Sequence, residues 1–193
     1  MVAIIDYDAG NVRSLQFALE RLGAESTLTD NAFEIENADK IIFPGQGAAG
    51  KAMEKLKNKG LDKLIPKLTQ PVLGICLGMQ LLCESTEEDQ SQGLGIVKGK
   101  VTRFSDRVKV PQMGWNTIHH LKSDLFKGLT KESYAYFVHG YYASIGAHTI
   151  AQTNYILDYS SALQKDNFYG VQFHPEKSAA VGERIIQNFL NIK

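Results

Sequence analysis

The chain has 193 residues, 44% of them hydrophobic, and its 21 basic residues balance 21 acidic ones. A chain of this size can bury one sizeable core, so we expect a single domain over residues 1–193. Zero net charge without a long basic block argues against electrostatic capture of nucleic acid or of an anionic membrane. No apolar run approaches the roughly 20 residues of a membrane-spanning helix, so we expect a cytoplasmic protein that binds a small molecule or another protein.

Short β-branched runs alternate with helical periodicity in the first half of the chain. Three strand-like runs are each followed by a helix-like segment, and they cover residues 2–7, 40–45 and 71–75. The first helix is expected over residues 11–22, closed by Gly23. Strands that are apolar on both faces and separated by helices indicate a parallel sheet covered on two sides.

Closely spaced strand-like segments replace this alternation from about residue 93. They include GIVKGKVTRF, NTIHHL, YAYFVHGYYAS, HTIAQTN and FYGVQFH. No Pro/Gly/Ser-rich linker divides the chain, so these segments are expected to extend the same sheet with antiparallel strands. An amphipathic helix over residues 178–191, with Ser178 as candidate N-cap, closes the chain. The predicted fold class is α/β, with a mostly parallel central sheet in a three-layer fold and an antiparallel extension in the C-terminal half.

The segment GICLG (74–78) places Cys76 after a buried strand and at the start of a helix. The spacing is that of the nucleophile elbow G-x-S-x-G, with cysteine instead of serine, and its sharp turn explains both glycines. Unpaired N–H groups at the helix start favour the thiolate. The alternative for these five residues alone is a small buried hydrophobe. Cys83 is expected on the same helix about two turns later, too far away for a disulfide.

The segment FHPEKS (173–178) carries His174 and Glu176 two residues apart. Pro175 favours extended backbone at His174, so both side chains are expected on one face of a strand. Glu176 would then hold one imidazole nitrogen and direct the other at the thiol of Cys76. The alternative for this segment alone is a solvated strand end with a local ion pair. The order Cys, His, Glu differs from the Ser, acid, His order of α/β-hydrolases.

Taken together, GICLGMQ and QFHPEKS resemble the class I glutamine amidotransferases, and the likeness covers essentially the whole chain. The resemblance implies the flavodoxin-like fold of that family. It also implies that Cys76, His174 and Glu176 hydrolyse the side-chain amide of L-glutamine, without a cofactor, and that the ammonia passes to a synthase.

Four further segments resemble one branch of this family, the glutaminase subunits of imidazole glycerol phosphate synthase: IDYDAGNVRS, FPGQGAAG, PQMGWN and YFVHGYY. The resemblance implies a heterodimer with a (β/α)₈ cyclase/synthase subunit that makes imidazole glycerol phosphate and AICAR in histidine biosynthesis. The chain departs from this branch in two places. It reads YDAGN where a YGxGN-like turn is usual, and PGQG where PGVG is usual.

Attack on the amide creates a tetrahedral oxyanion that needs two N–H donors. Elbow geometry assigns one donor to Leu77, and the PGQG loop is placed to supply the other from Gly45, Gln46 or Gly47. A plain turn and helix start is the alternative, and the loop lacks the Lys-Ser/Thr ending of a phosphate loop. Gln80 resembles a family position that touches the substrate glutamine, and an exposed helix residue is its alternative.

Residues of several segments are predicted at the interface with the partner subunit, namely Asn11, Trp115, Tyr136, His139 and Lys177. Trp115 lies in the loop-like string PQMGWN, where a core aromatic is less expected and an interface anchor is often Trp. His139 is interpreted as a hydrogen-bonded histidine near this contact rather than as a competing base. Lys177 resembles a family residue that forms a salt bridge to the partner. No metal site is predicted, because His119 and His120 lack ligand spacing with a Cys or acid cluster.

Two other functions remain open at this point. One is a glutaminase subunit of another pathway, such as amidation of a nucleotide sugar. The other is a non-glutaminase cysteine hydrolase, such as a peptidase, or a thiol sensor of the same fold. Complementation of a histidine auxotroph separates the first from the histidine branch, and glutamine turnover excludes the second.

Overall fold

The computed structural model describes residues 1–8 and 12–193, which form twelve β-strands and six α-helices. The strands are β1 (Val2–Ile5), β2 (Ser26–Thr29), β3 (Lys40–Phe43), β4 (Val72–Ile75), β5 (Cys83–Thr86), β6 (Val97–Arg103), β7 (Gln112–Ile118), β8 (Ser133–His139), β9 (Tyr141–Ala143), β10 (Thr149–Tyr155), β11 (Leu157–Lys165) and β12 (Phe168–Val171). The helices are α1 (Val12–Arg21), α2 (Ala32–Asn37), α3 (Ala49–Asn58), α4 (Leu61–Leu64), α5 (Leu77–Leu82) and α6 (Ala179–Asn191).

Ten of these strands form one sheet in the order β2-β1-β3-β4-β12-β11-β9-β6-β5, with β10 attached to β11. The five neighbours from β2 to β12 are parallel to one another. Strands β11, β9, β6 and β10 join in antiparallel pairs, while β5 lies parallel to β6. The predicted sheet, mostly parallel with an antiparallel extension, is confirmed.

Helices cover both faces of the sheet and give two separate apolar cores. Ala52, Met53 and Leu56 of α3 pack in one core, and the other contains Leu15 and Leu19 of α1 with Ile185, Ile186 and Phe189 of α6. Strands β1 and β4 are buried along their whole length. Their uninterrupted apolar sequences follow from burial on both faces, as expected for a parallel sheet between two helical layers.

Three strands, β2, β11 and β5, were not predicted from the sequence. For β2 and β11 the structure gives a physical reason. Strand β2 lies at the sheet edge and is mostly exposed, so it carries no apolar run. Strand β11 buries small polar residues, among them Ser160 and Ser161, so it lacks the apolar pattern that predicts a buried strand. Strand β5 begins at Cys83 and cuts the predicted helix short at Leu82. The two cysteines therefore do not share a helix face, contrary to expectation.

Strands β7 and β8 form a separate two-stranded antiparallel sheet, the β7–β8 hairpin, instead of joining the main sheet as predicted. An isolated bridge between His119 and Gln152 connects the hairpin to β10. PQMGWN, predicted as loop-like, is largely strand β7, and Trp115 pairs with Tyr136 across the hairpin. One face packs on the core through Phe137, while the other exposes aromatic side chains.

The turn between β4 and α5 lies directly against the end of β3. A side chain at Gly78 would overlap the carbonyl oxygen of Phe43, and a Cβ at Gly45 would lie 2.5 Å from the backbone nitrogen of Gly78. A Cβ at Gly74 would lie 2.8 Å from the backbone nitrogen of Met79. These glycines are therefore required by backbone-to-backbone contact between two neighbouring parallel strands and the turn that follows one of them.

His139, at the end of β8, is buried where the hairpin packs on the main sheet. Its Nδ1 lies 2.7 Å from the carbonyl oxygen of Tyr141, and its Nε2 lies 3.2 Å from the hydroxyl of Tyr159. Because a carbonyl only accepts, Nδ1 carries the proton of the neutral ring. Burial lowers the pKa of His139 to about 4, against the hydrogen bond to Tyr141, and the charge of His174 lowers it further.

Replacing Gly78 by alanine is expected to destabilise the fold by about 2 kcal/mol or more, because the new methyl group has no room against the backbone of β3. Gly146→Ala is the matched control, since a Cβ there meets no atom within 4 Å. Urea unfolding of both variants measures the difference. Equal stability of the two variants would show that the contact between β3 and the turn has room for a side chain at residue 78.

The lowered pKa of His139 makes stability depend on pH. The folded state keeps this ring neutral, whereas the unfolded state protonates it below about pH 6.5. The free energy of unfolding should therefore fall as pH drops from about 6.5 to 4, by at most about 1.4 kcal/mol per unit from this group. His139→Asn removes the titrating group and keeps an N–H donor. We expect its stability deficit relative to the original chain to shrink at acid pH in urea titrations, and a constant deficit would contradict a neutral buried His139.

Candidate active site

A cavity of 340 Å³ opens beside Cys76, a size within the range of small-ligand sites. Its lining combines the turn before α5, the PGQG loop, the end of the hairpin and the segment after β12. A larger hollow of 830 Å³ lies along residues 119–132 and contains none of the predicted catalytic residues. The smaller cavity is the candidate site, because both Cys76 and His174 line it and neither lines the larger hollow.

Cys76 occupies a strained turn between β4 and α5. Its backbone has φ +54° and ψ −110°, a conformation that L residues rarely adopt. The backbone N–H of Cys76 donates to the carbonyl of Val171 at 2.8 Å, and Gln80 N–H donates to the carbonyl of Cys76 at 3.2 Å. These bonds to β12 and α5 hold the turn in place. The thiol is free and lines the cavity.

His174 lies beside Cys76 and bonds Glu176. Its Nδ1 lies 2.9 Å from Oε1 of Glu176, and both its side chain and that of Cys76 belong to residues lining the cavity. Burial by itself would lower the pKa of His174, yet the hydrogen bonds to Cys76 and Glu176 and the charges of those groups raise it to about 10. The environment therefore favours the imidazolium form of His174.

The local structure that joins His174 to Glu176 differs from the prediction. Pro175–Lys177 form a short 3₁₀ turn after β12, so the two side chains do not alternate along a strand. The turn brings the carboxylate back to the ring two residues earlier in the chain. Both side chains are almost completely buried, at 5% and 6% exposed, so water competes little for their ion pair.

Hairpin strand β8 holds the segment of His174 through its backbone. His174 N–H donates to the carbonyl of Tyr136 at 2.9 Å, and Tyr136 N–H donates to Oγ of Ser178 at 2.9 Å. The hydroxyl of Ser178 donates to the carbonyl of His174 at 2.7 Å. Ser178 precedes α6, as predicted, but its side chain makes no cap hydrogen bond to that helix. It connects the hairpin to the catalytic segment instead.

The predicted oxyanion residues lie around the thiol. Gln46, Gly47 and Leu77 line the cavity, while Gly45 is buried against the backbone of Leu77. Gly47 has φ +93°, which suits glycine. The PGQG loop also has an anchor that the sequence analysis missed, because the hydroxyl of Tyr7 donates to the Pro44 carbonyl at 2.6 Å.

Glu88 is a second residue that the sequence analysis missed. It lines the cavity, and its Oε2 accepts a hydrogen bond from Ala49 N–H at 3.0 Å. Asp89 accepts from Gly50 N–H at 3.1 Å, so two carboxylates cap the start of α3, just after the PGQG loop. Burial raises the pKa of Glu88, and the bond from Ala49 opposes that shift. The acidic run TEEDQ gave no local signal for this role.

Gln80 is buried instead of exposed on its helix. Its Nε2 donates to the carbonyl of Tyr141 and to Oε1 of Gln172, both at 3.0 Å. Both hydrogens of its amide thus point into the protein, which leaves its oxygen as the atom able to meet a substrate. Gln172 was also missed, although its position two residues before His174 on the same extended segment would have indicated it.

The predicted interface residues separate into different environments. Trp115 is 54% exposed on the hairpin, and its ring centroid lies 6.0 Å from that of half-buried Tyr136. Lys177 is exposed at the rim of the cavity. His139 is buried and hydrogen-bonded, as interpreted from the sequence, and its place near the partner contact stays a prediction. Asn11 lies outside the described residues.

Within residues 1–8 and 12–193, no group of three or more His, Cys, Asp and Glu side chains could hold a metal ion. No helix in the same ranges has the length and apolar character needed to cross a membrane.

Comparisons with known proteins identify the family of this chain. Residues 3–192 match the family described as glutamine amidotransferase class-I. "Imidazole glycerol phosphate synthase subunit HisH" of Bacteroides fragilis is 55% identical, with 99% of each chain covered. The protein of the same name from Haemophilus influenzae is 44% identical, covering 98% of this chain and 96% of the relative.

Solved structures share the fold at low identity. One described as a glutamine amidotransferase has a TM-score of 0.76 at 19% identity, covering 99% of this chain and 98% of that one. PurLQS from Thermotoga maritima has a TM-score of 0.74, also at 19% identity, covering 98% and 97%. The resemblance expected from GICLGMQ and QFHPEKS is confirmed, and this chain belongs to the class I glutamine amidotransferase family.

Proposed function

We propose that this protein is the glutaminase subunit of an imidazole glycerol phosphate synthase. It hydrolyses glutamine to glutamate and ammonia and passes the ammonia to a (β/α)₈ synthase subunit in histidine biosynthesis. The observation that carries the proposal is that Cys76 and His174 line one 340 Å³ cavity while Glu176 bonds the imidazole of His174. Full-length relatives named as subunit HisH, at 44–55% identity, favour the histidine branch over sugar amidation.

The first chemical step is attack of the Cys76 thiolate on the side-chain carbonyl carbon of glutamine. A carbon–sulfur bond forms, and the carbonyl oxygen takes the electron pair as an oxyanion. Leu77 N–H, at the start of α5, is one donor to that oxyanion, and a peptide N–H of the PGQG loop is the other. The close packing of Gly45 on the backbone of Leu77 supports a shared oxyanion site between the loop and the turn.

The second step releases ammonia. His174, protonated beside Glu176, gives its proton to the leaving nitrogen as the carbon–nitrogen bond breaks and a thioester forms. His174 then takes a proton from water, which attacks the thioester and frees glutamate and the thiolate. Glu176 keeps the ring oriented and stabilises its cation throughout the cycle.

The cavity also carries charges that suit an amino acid. Glu88 is a carboxylate in its lining, placed to bind the α-ammonium group of glutamine, and the side-chain oxygen of Gln80 is a further acceptor. Both cysteines are free thiols, which fits a reducing compartment such as the cytoplasm.

A partner subunit can act on this site through the β7–β8 hairpin. The exposed Trp115 packs beside Tyr136, and the backbone of Tyr136 is hydrogen-bonded to both His174 and Ser178. A partner bound at the outer hairpin face would therefore touch the strand whose backbone is bonded to the base. We infer that the partner raises the glutaminase rate by favouring the reactive arrangement of the base and of the PGQG loop. The size of this activation is limited by how much more tightly the partner binds the reactive arrangement than the unreactive one.

Cys76→Ala is expected to lower glutamine hydrolysis by about 10⁴-fold or more, since the nucleophile is gone. Ammonia-dependent synthesis by the partner complex should continue, because the chemistry of this chain ends at ammonia release. Cys83→Ala is the matched control, because Cys83 is buried away from the cavity. Glutamine turnover of the complex above about one per cent in Cys76→Ala would mean that another group is the nucleophile.

Trp115→Ala is expected to weaken the stimulation of glutamine hydrolysis by the partner while the slow rate of the free chain stays unchanged. The reason is that Trp115 lies outside the cavity and touches it only through the hairpin. Phe33→Ala is the control, since Phe33 is 74% exposed on α2, away from the hairpin. Steady-state turnover with and without the partner and its nucleotide substrate measures the effect. A free chain that works at the full rate without the partner would refute the activation.

A further inference from the structure

We propose that Gln172 is a further catalytic residue, which donates a hydrogen bond to the reacting sulfur of Cys76. The inference rests on the proposed function, in which Cys76 is the nucleophile. Gln172 follows β12 and is fully buried. Its Nε2 lies 3.8 Å from Sγ of Cys76, a length suited to an N–H bond to the large sulfur atom.

The direction of the Gln172 amide is set by a backbone carbonyl. The oxygen of Tyr141 can only accept a hydrogen bond, so the group of Gln80 that lies 3.0 Å from it must be the NH₂ group. The same NH₂ group lies 3.0 Å from the Gln172 side chain and therefore meets its oxygen. The amide nitrogen of Gln172 is then the atom that faces Cys76. The Gln80 amide therefore links Tyr141 to Gln172, because each of its two N–H donors has one oxygen acceptor.

The donor is useful because one polar neighbour of the sulfur disfavours a thiolate. The carbonyl oxygen of Val138 lies 3.6 Å from Sγ, where it accepts from a neutral S–H and repels a negative sulfur. An N–H from Gln172 counteracts this repulsion and stabilises the anion. The charge is present before attack and again when the thioester is hydrolysed, so the bond assists both formation and release of the acyl group.

A purely structural role for the buried amide makes a different prediction. Loss of a structural hydrogen bond lowers the stability of the fold but does not move the titration of the thiol. The rate at which iodoacetamide alkylates Cys76, measured against pH on the free chain, reports the thiolate fraction directly. Cys83 does not interfere, since burial and the charge of Glu84 raise its pKa to about 12.

Gln172→Met keeps the length of the side chain and removes the donor. We expect the midpoint of the alkylation profile to move to higher pH by roughly one unit, with the plateau at high pH unchanged. In the assembled complex, kcat for glutamine should fall about tenfold near pH 7 with a smaller change in KM. Gln112→Met is the matched control, because Gln112 is equally buried and bonds Tyr159 instead of Cys76.

Gln80→Met is the second variant, since it leaves Gln172 in place but frees its amide to rotate. We expect a shift in the same direction and of smaller size. An unchanged pH profile of alkylation in folded Gln172→Met overturns the inference. If that variant does not fold, an unchanged alkylation profile in Gln80→Met overturns it. Neither result touches the function itself, which is decided separately by glutamine turnover of Cys76→Ala.

Discussion

The contact between the end of β3 and the turn after β4 is the constraint on which the rest of the site depends. The carbonyl of Phe43 occupies the space that a side chain at residue 78 would need, and Gly45 packs on the same turn. One contact therefore explains both glycine-containing motifs, GICLG and PGQG. It also places the two expected oxyanion donors beside a sulfur that is held in a strained backbone conformation. Because this geometry is backbone against backbone, neighbouring side chains can vary without moving it.

The base depends on a second scaffold, which comes from the opposite end of the sequence. Both backbone groups of Tyr136 bond to the segment from His174 to Ser178. Gly182 allows α6 to close on the same segment, since a side chain there would overlap the carbonyl of Pro175. The base is thus fixed between a strand of the hairpin and a helix. The nucleophile follows β4 and the base follows β12, which are neighbouring parallel strands, but the backbone of the base is also bonded to the hairpin. The exposed outer face of that hairpin is the surface proposed for the partner.

Sequence patterns predicted the parts of this protein that are set by local rules. The elbow, the HPE segment and the buried parallel strands follow from steric demands within a few residues. The segment PQMGWN at the start of β7 is loop-like in sequence because it contains Pro111 and Gly114, yet pairing with β8 overrides that local preference. Glu88 could not be found in this way, because its partner Ala49 is 39 residues distant in the chain. Contacts between residues that are far apart in the chain leave no periodic pattern in the sequence.

Two histidines stand at the same cavity, and the surroundings of each decide which one can act as base. His139 faces a carbonyl and a hydroxyl but no carboxylate, so burial outweighs the hydrogen bond to Tyr141 and its pKa falls to about 4. His174 is also buried, but Cys76 and Glu176 both favour its cation and raise its pKa to about 10. A charge on His174 further disfavours one on His139. The neutral ring can hold the hairpin in place but cannot protonate a leaving group near pH 7, so proton transfer falls to the histidine that has an acid partner.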